Sequence, residues 1–290
     1  MKTILRTFVG CTAILFGTAC MGAVKYVPEN MKVELSLKVP GNNAVNYKLH
    51  PDKLENSYFD YEWRSDNKLP ITVFHKVEER DSCMRLTVQL TAAQDVYFNY
   101  RQLLSTGYRH DNCQFYMPGF WYRRNLRSPK KAPSFHTSDS WLVREDRLSA
   151  PLTGIFSEKE KRFMTVNRLD DFSMDALATH KEGEIILSGK TSLGFTGFEN
   201  QQGIAMLSFG FPYREAPKSY IRKLTLAPEV EAFQLMKKGE SVLLTWEIME
   251  SGADDFSDFI QHTWEHCYDR QVFEPITLTA YISATLLSKF

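Results

Sequence analysis

The chain has 290 residues, with 35 lysines and arginines against 35 aspartates and glutamates, so its formal net charge is zero. This length allows one large domain or two smaller ones with a sizeable core. A balanced charge creates no overall field that would attract nucleic acid or an anionic membrane, so any basic site must be local.

Residues 1–22 predict an export signal. Lys2 and Arg6 supply the charged start, and the apolar run at residues 8–16 is too short to span a bilayer. Small residues then precede Cys20, which fits either a lipobox with an acylated cysteine or ordinary cleavage after residue 22 or 23. We therefore expect an exported protein, either periplasmic or a lipoprotein of the outer membrane or cell surface, with membrane contact only through a lipid on Cys20.

The mature chain would retain Cys83, Cys113 and Cys267. Export permits a disulfide, and Cys83 with Cys113 is the plausible pair, leaving Cys267 unpaired in a helical pattern. Three buried thiols are an equally acceptable interpretation.

Residues 23–250 have a strong β signature. The stretch MKVELSLKVP alternates apolar and polar residues, and YFDYEW, ITVFHKV, MRLTVQLTA, DVYFNYRQL and SVLLTWEIM continue the pattern. The segment TGIFSEKEKRFMTV predicts a hairpin over residues 153–166. More than ten short strands without intervening amphipathic helices predict a mainly β fold, a large two-sheet antiparallel β-sandwich.

The period changes to helical at residues 251–290, where Ser251 or Asp254 could serve as N-cap. The apolar positions at helical spacing are Phe256, Phe259, Ile260 and Trp264. After Pro275, residues 276–290 predict a second, largely apolar helix, which requires neighbours to cover it. It could fold back on the sandwich, but we favour the start of a helical domain that is truncated in this chain.

Residues 117–141, MPGFWYRRNLRSPKKAPSFHTSDSW, combine aromatic rings with a cluster of basic side chains. Aromatic faces stack on the C–H face of sugars, and guanidinium groups bind carboxylate or sulfate bidentately. The predicted substrate-binding residues are Phe120, Trp121, Tyr122, Arg123, Asn125, His136 and Trp141. Alternatively, Phe120 and Tyr122 alternate into a sheet core and Trp121 lies on the opposite face. The predicted partner is carbohydrate, with an acidic polysaccharide as the better target, because export disfavours nucleic acid.

Catalytic residues cannot be assigned from the sequence. The string His262-Thr-Trp-Glu265-His266 has the spacing of an inverted zinc-protease motif, but a well-separated acidic third ligand is missing after it. We interpret it as solvated histidines on an amphipathic helix and predict no metal site and no cofactor. Adjacent carboxylates such as Asp254 and Asp255 suit a helix start better than glycoside hydrolysis.

Three segments carry a resemblance to a known family: LTAAQDVYFNY leading into MPGFWYRRN, the hairpin TGIFSEKEKRFMTVNRL, and SVLLTWEIMES passing into DDFSDFIQHTWEHCYD. The layout resembles the front part of exported bacterial glycan-active enzymes, with an N-terminal β-supersandwich and a C-terminal (α/α)6 toroid. In such enzymes a Pro-Gly-aromatic loop ending in Asn projects toward the toroid's cleft, which here would comprise Pro118, Gly119, Phe120, Tyr122 and Asn125. The toroid carries the principal catalytic acids and bases, and at most its first helices are present here.

We therefore expect a carbohydrate-associated module of a glycan-degrading system, not active alone. A complete glycoside hydrolase or polysaccharide lyase is one alternative. A non-catalytic surface-assembly lipoprotein is the other.

Overall fold

A computed structural model describes residues 27–80, 83–125, 134–170, 183–220, 225–227 and 229–270. The export signal with Cys20, the basic residues Arg127, Lys130 and Lys131, and the predicted helix at 276–290 lie outside the described residues. No helix within the described ranges combines the length and apolar character that crossing a membrane requires.

Nineteen strands and one α-helix make up the described chain. The first strands are β1 (Met31–Lys38), β2 (Val45–Lys53), β3 (Tyr61–Arg64), β4 (Ile71–Glu79), β5 (Cys83–Ala92), β6 (Val96–Arg109), β7 (Cys113–Met117), β8 (Trp121–Arg123), β9 (Ser140–Arg144) and β10 (Leu152–Ser157). The remaining elements are β11 (Arg162–Arg168), β12 (Gly183–Ile186), β13 (Phe195–Gln201), β14 (Ile204–Phe211), β15 (Arg214–Glu215), β16 (Lys218–Tyr220), β17 (Thr225–Ala227), β18 (Val230–Met236), β19 (Ser241–Gly252) and α1 (Phe256–Arg270). Short 3₁₀ helices span Pro28–Asn30, His110–Asn112 and Glu145–Arg147.

The strands form two layers joined along β2. One layer runs β2–β1–β6–β14–β13–β9, and the other runs β2–β3–β4–β5–β19–β11–β10–β7–β8. The first half of β2 pairs with β1 through Leu49 and Val33, and its second half pairs with β3 through His50 and Arg64. Among the described pairings only β12–β18 is parallel. The predicted mainly antiparallel β-sandwich is confirmed.

The main core lies between the two layers, where alternate side chains of facing strands meet. Trp246 of β19 illustrates the packing, with its ring centroid 5.1 Å from that of Phe209 and 6.3 Å from that of Tyr100 in the opposite layer. On β5, Leu86, Val88 and the other even-numbered residues are buried in this core, whereas the odd-numbered ones face outward.

Helix α1 covers part of the outer face of the second layer. Phe259 is fully buried there, 4.9 Å from Phe163 and 6.0 Å from Phe156 between ring centroids. It lies directly over Gly154, where a Cβ atom would come within 2.6 Å of the Phe259 ring, so the strand requires glycine at this point.

The N-cap of α1 is one residue later than the latest position predicted. Asp255 Oδ1 accepts hydrogen bonds from the backbone N–H groups of Ser257 (2.7 Å) and Asp258 (3.0 Å), and these bonds lower the pKa of Asp255. Ser251 remains within β19, so neither predicted residue is the cap. The predicted helix itself is confirmed as α1.

The predicted disulfide between Cys83 and Cys113 is wrong, because both are thiols in this structure. Cys83 opens β5 and Cys113 opens β7, and the strands β19, β11 and β10 lie between them. Four strand spacings amount to roughly 19 Å, far beyond the reach of a disulfide. The division of the chain at residue 250 stays a prediction.

Candidate functional site

The aromatic–basic segment begins as a tight hairpin at the edge of the second layer. Strands β7 and β8 are joined by a turn over residues 118–120, in which Gly119 has φ +80. The register pairs Met117 with Trp121 and Tyr116 with Tyr122. Directly opposed residues share one face of a sheet, so this register decides which aromatic ring faces the core.

Trp121 follows Met117 into the core. Both side chains have no exposed surface, and the Trp121 ring lies 5.4 Å from Trp141 and 5.1 Å from Phe198. Its indole N–H donates to the carbonyl oxygen of Arg123 at 2.9 Å. Trp141 is equally buried in β9.

The prediction that Trp121 and Trp141 contact a ligand is therefore wrong. The two indoles fill the space between the layers. Trp121 faces inward and Tyr122 outward, which is the opposite phase to the one considered from the sequence. Arg123 is exposed as well, so the alternation does not continue to the end of β8.

Tyr122 is 53% exposed and lies on the outer face. Its ring centroid is 5.4 Å from that of the buried Tyr116, and its hydroxyl accepts a hydrogen bond from the Gly119 backbone N–H at 3.1 Å. On α1, Trp264 is 39% exposed, and its indole N–H donates to the Tyr116 hydroxyl at 2.9 Å. Tyr116 thus connects two exposed rings, Tyr122 and Trp264, which we call the aromatic platform.

Arg123 stands beside this platform. Its φ of 56 breaks the extended conformation of β8, and its guanidinium lies 5.2 Å from the centroid of the Phe256 ring of α1. Within the part of the chain that the structure describes, no carboxylate lies at salt-bridge distance from it. The neighbouring Arg124 differs, since it donates to the backbone oxygen of Asp111 at 2.6 Å and lies 3.7 Å from the Glu158 carboxylate. Arg123 therefore has a charge available for a ligand.

The other three predicted residues do not join the platform. Phe120 is half-buried and packs against the main core. Asn125 closes the turn after β8, with φ 51 and its N–H donating to the Tyr122 carbonyl oxygen at 3.1 Å. His136 is exposed, and it lines a cavity of about 170 Å³ together with His110 and Phe115.

That cavity lies on the other side of β7 from the platform, because Phe115 and Tyr116 are adjacent strand residues and point to opposite faces. Several of the side chains that line it pack against one another within the fold. His110 packs against Phe115 and Phe135, with ring centroids 5.0 and 4.2 Å away, and burial lowers its pKa.

The residues of the H-x-x-E-H string take separate partners. His262 lies 3.4 Å from the Asp258 carboxylate, and Glu265 accepts a hydrogen bond from the Gln261 amide at 2.8 Å. His266 instead bonds to Glu247 of β19 at 2.6 Å. The string therefore does not form the zinc-protease site that its spacing resembles.

Two buried carboxylates, Glu145 and Glu215, are engaged by arginine side chains of the fold. Glu145 is fully buried and accepts hydrogen bonds from the Arg168 guanidinium and the Gly194 N–H, each at 2.7 Å. Glu215 binds Arg147 at 2.7 Å. What the outer surface offers chemically is stacking and charge recognition.

Sequence reasoning missed Trp264, which it assigned to packing. Its i+4 spacing from Ile260 indicates a helix face but not whether the sheet covers that face. Its polar neighbours in the sequence give no reliable signal either, because Thr263 is fully buried.

No family model matches the sequence, and no curated protein matches it. The similar solved structures include a polysaccharide lyase with 15% identity and a TM-score of 0.35, covering 78% of this chain and 26% of the lyase. Another is the Slr1438 protein from Synechocystis sp. PCC 6803, with 6% identity, a TM-score of 0.37 and coverage of 74% and 73%. A third is the GH36 alpha-galactosidase AgaB from Geobacillus stearothermophilus, with 10% identity, a TM-score of 0.33 and coverage of 76% and 30%.

Solved structures of glycan-active enzymes are therefore among those similar to this β-rich chain, which spans about a quarter of the length of the lyase. Similarities with such low TM-scores do not assign a function to this chain. The proposals below depend on the side chains of this chain.

Proposed function

We propose that this protein is a carbohydrate-associated β-sandwich module that contacts glycan through the aromatic platform and Arg123. One observation carries the proposal: two exposed rings, Tyr122 and Trp264, are fixed on either side of Tyr116, beside a guanidinium that has no carboxylate partner among the described residues.

The platform is rigid enough to serve as a binding surface. The Tyr122 hydroxyl is held by Gly119, and the Trp264 indole is held by Tyr116, so neither ring has to be ordered when a ligand arrives. Fixed rings lose little conformational entropy on binding, which favours stacking against the C–H face of a sugar.

Arg123 favours an acidic polysaccharide over a neutral one. Its guanidinium can donate two parallel hydrogen bonds to a carboxylate or sulfate, and stacking on Phe256 leaves its edge available. Asp255 lies close enough for the positive charge of Arg123 to contribute to its lowered pKa, so the contribution of Arg123 should be modest and sensitive to salt.

The residues of the site support glycan binding without cleavage of a glycosidic bond. The platform presents rings and a cation, and the carboxylate of Asp255, which interacts electrostatically with Arg123, is engaged as the N-cap of α1. We therefore propose a module of a glycan-degrading system, and a complete hydrolase or lyase would be recognised by reducing-end release from purified protein.

Affinity electrophoresis against a panel of acidic and neutral polysaccharides tests the proposal. We expect retardation of the wild-type chain and a loss of affinity of about 10-fold or more, ~1.4 kcal/mol, for Tyr122→Ala and Trp264→Ala. Arg123→Ala should weaken binding to acidic glycans only, and added salt should reduce that difference.

Matched controls are Tyr58→Ala, since Tyr58 is 69% exposed and lies beside Lys76 of β4, away from the β7–β8 edge, and Arg124→Ala, adjacent to Arg123. Both should bind like the wild type. Retardation on no glycan, or equal binding by the platform variants and the controls, would contradict the proposal.

We further propose that the chain is exported and that its mature form begins near Cys20. The support is the charged start, short apolar run and small residues of positions 1–22. The intact mass of protein recovered from a bacterial envelope tests this. A diacylated N-terminal cysteine would indicate a lipoprotein, cleavage after residue 22 or 23 a periplasmic protein, and an uncleaved cytoplasmic chain would refute export.

A further inference from the structure

The underside of helix α1 carries a cluster of three metal-ligating side chains away from the platform. The Cys83 Sγ, a Glu247 carboxylate oxygen and a His266 ring nitrogen all lie within 4.8 Å of one another. Cys83 is fully buried and Glu247 nearly so, whereas 16% of the His266 side chain is exposed. We propose that Cys83, Glu247 and His266 form a zinc site that fastens helix α1 to the sheet.

Three separate elements bring these residues together. In the ladder between β5 and β19, Cys83 is opposite Met249, so Glu247 is its diagonal neighbour on the same outer face. The C-terminal half of α1 crosses this face, and His266 Nε2 reaches Glu247 Oε1 at 2.6 Å. The ligands therefore span the helix and two strands of the sheet beneath it.

The donor set favours zinc over the hard cations. Thiolate, imidazole and carboxylate together suit Zn²⁺, whereas magnesium, calcium and manganese prefer oxygen ligands. Bond lengths of about 2.0–2.3 Å in a tetrahedron place ligand atoms roughly 3.4–3.6 Å apart. The present separations, up to 4.8 Å, need only small side-chain rotations to reach that geometry.

Charge also balances at such a site. The Cys83 thiol gives up its proton to solvent on binding. The proton between His266 Nε2 and Glu247 Oε1 moves to His266 Nδ1 or to solvent, and zinc takes its place. One thiolate and one carboxylate then neutralise Zn²⁺, so no net charge is left under the helix. The partly exposed side of His266 provides the path for the metal and the position for a water as fourth ligand.

Arg85 and Asn167 flank Glu247 on the two neighbouring strands. Arg85 is opposite Glu247 in the ladder, yet it makes no salt bridge within the described chain. On the other side of β19, Asn167 is opposite Glu247 and its amide points to Cys267 Sγ at 4.0 Å. A nucleophilic role for Cys83 is disfavoured, because a fully buried sulfur cannot reach a substrate.

Zinc titration of the chelator-treated full chain tests the site. We expect one zinc per chain by atomic absorption and a melting temperature raised by roughly 5–10 °C at about 100 times the Kd. Cobalt in place of zinc should show thiolate-to-metal charge-transfer absorption, which reports directly on a cysteine ligand.

His266→Gln and Cys83→Ser should each reduce zinc affinity by at least about 100-fold, since even changes in outer-shell partners cost about 10–100-fold. His266 is at the helix surface, so its variant keeps the test valid if Cys83→Ser fails to fold. The matched controls are Cys267→Ser, His262→Gln and Glu265→Gln, which lie on the same helix outside the cluster.

Controls that retain zinc and the charge-transfer band, beside ligand variants that lose both, would support the site. The inference is overturned if the wild type holds no zinc after dialysis. It is also overturned if His266→Gln binds zinc as tightly as the wild type, or if His262→Gln and Glu265→Gln abolish binding.

Discussion

Replacing Trp121 by alanine is the most direct test of the hairpin register. In this structure Trp121 is a core residue. Trp121→Ala should therefore reduce the free energy of unfolding, and it should not remove a direct contact with a ligand. The adjacent substitution Tyr122→Ala should weaken glycan binding and change the free energy of unfolding only slightly, because Tyr122 projects from the outer face.

The magnitude follows from the packing around the indole. A buried tryptophan contributes about 150–250 Å² of hidden surface, equivalent to roughly 4–6 kcal/mol at ~25 cal/mol per Å². Measured Trp→Ala changes in cores cost about 3–5 kcal/mol, and contacts with Phe135, Trp141 and Phe198 place Trp121 in that range. Trp121→Phe keeps a ring and removes the N–H bond to the Arg123 carbonyl, so about 1–2 kcal/mol is expected.

Urea unfolding followed by tryptophan fluorescence and circular dichroism measures these differences, provided that the m-value stays constant. Tyr122→Ala serves as the control and should cost under about 1 kcal/mol. If Trp121→Ala lies within about 1 kcal/mol of the wild type while Tyr122→Ala is strongly destabilised, the register is reversed and the platform does not exist in this form.

Two further predictions concern the core and the helix. Burial lowers the pKa of His75 to about 3 from 6.5, so the folded protein holds it neutral. The contribution of neutral His75 to the free energy of unfolding should be complete above pH 6.5. It should decline at up to about 1.4 kcal/mol per pH unit as the pH falls toward 3. His75→Gln should flatten that slope in urea titrations, and an unchanged slope would show that His75 titrates normally in the folded state. Gly154→Ala should destabilise the fold by about 1–3 kcal/mol, because the new Cβ would lie 2.6 Å from the Phe259 ring and 3.0 Å from Thr165 Cγ2. Thermal melts with hydrogen exchange of the α1 amides check this, and an unchanged melting temperature would show that the helix is not seated on Gly154.

Local patterns predicted the elements of this fold because the information is local. Alternation along β1 and β5, the polar turn between β10 and β11, and the change of period before α1 each depend on neighbouring residues only. The order of strands in the sheet is different, because it is set by which faces pack together across the whole chain. The error over Cys83 and Cys113 has this origin, since nothing near either cysteine indicates the three strands between them.

The candidate site was only half predictable for the same reason. In the run Phe120, Trp121, Tyr122 every side chain is aromatic, so the sequence carries no polar marker for the phase of alternation. The phase is set by the turn at Gly119, which aligns Trp121 with Met117. The cluster of Cys83, Glu247 and His266 could not be read at all, since its ligands come from three distant stretches and have no spacing motif.

Helix α1 is the element on which both proposals depend, and its two halves are held differently. Phe256 and Phe259 anchor the N-terminal half by burial against the sheet. The C-terminal half is held by polar contacts on opposite sides, Trp264 to Tyr116 and His266 to Glu247. Because hydrophobic anchoring at the N-terminal half persists without metal, loss of zinc should loosen the C-terminal half without releasing the helix. Zinc would therefore act on the position of Trp264 while leaving Tyr122, which the hairpin holds by itself, in place.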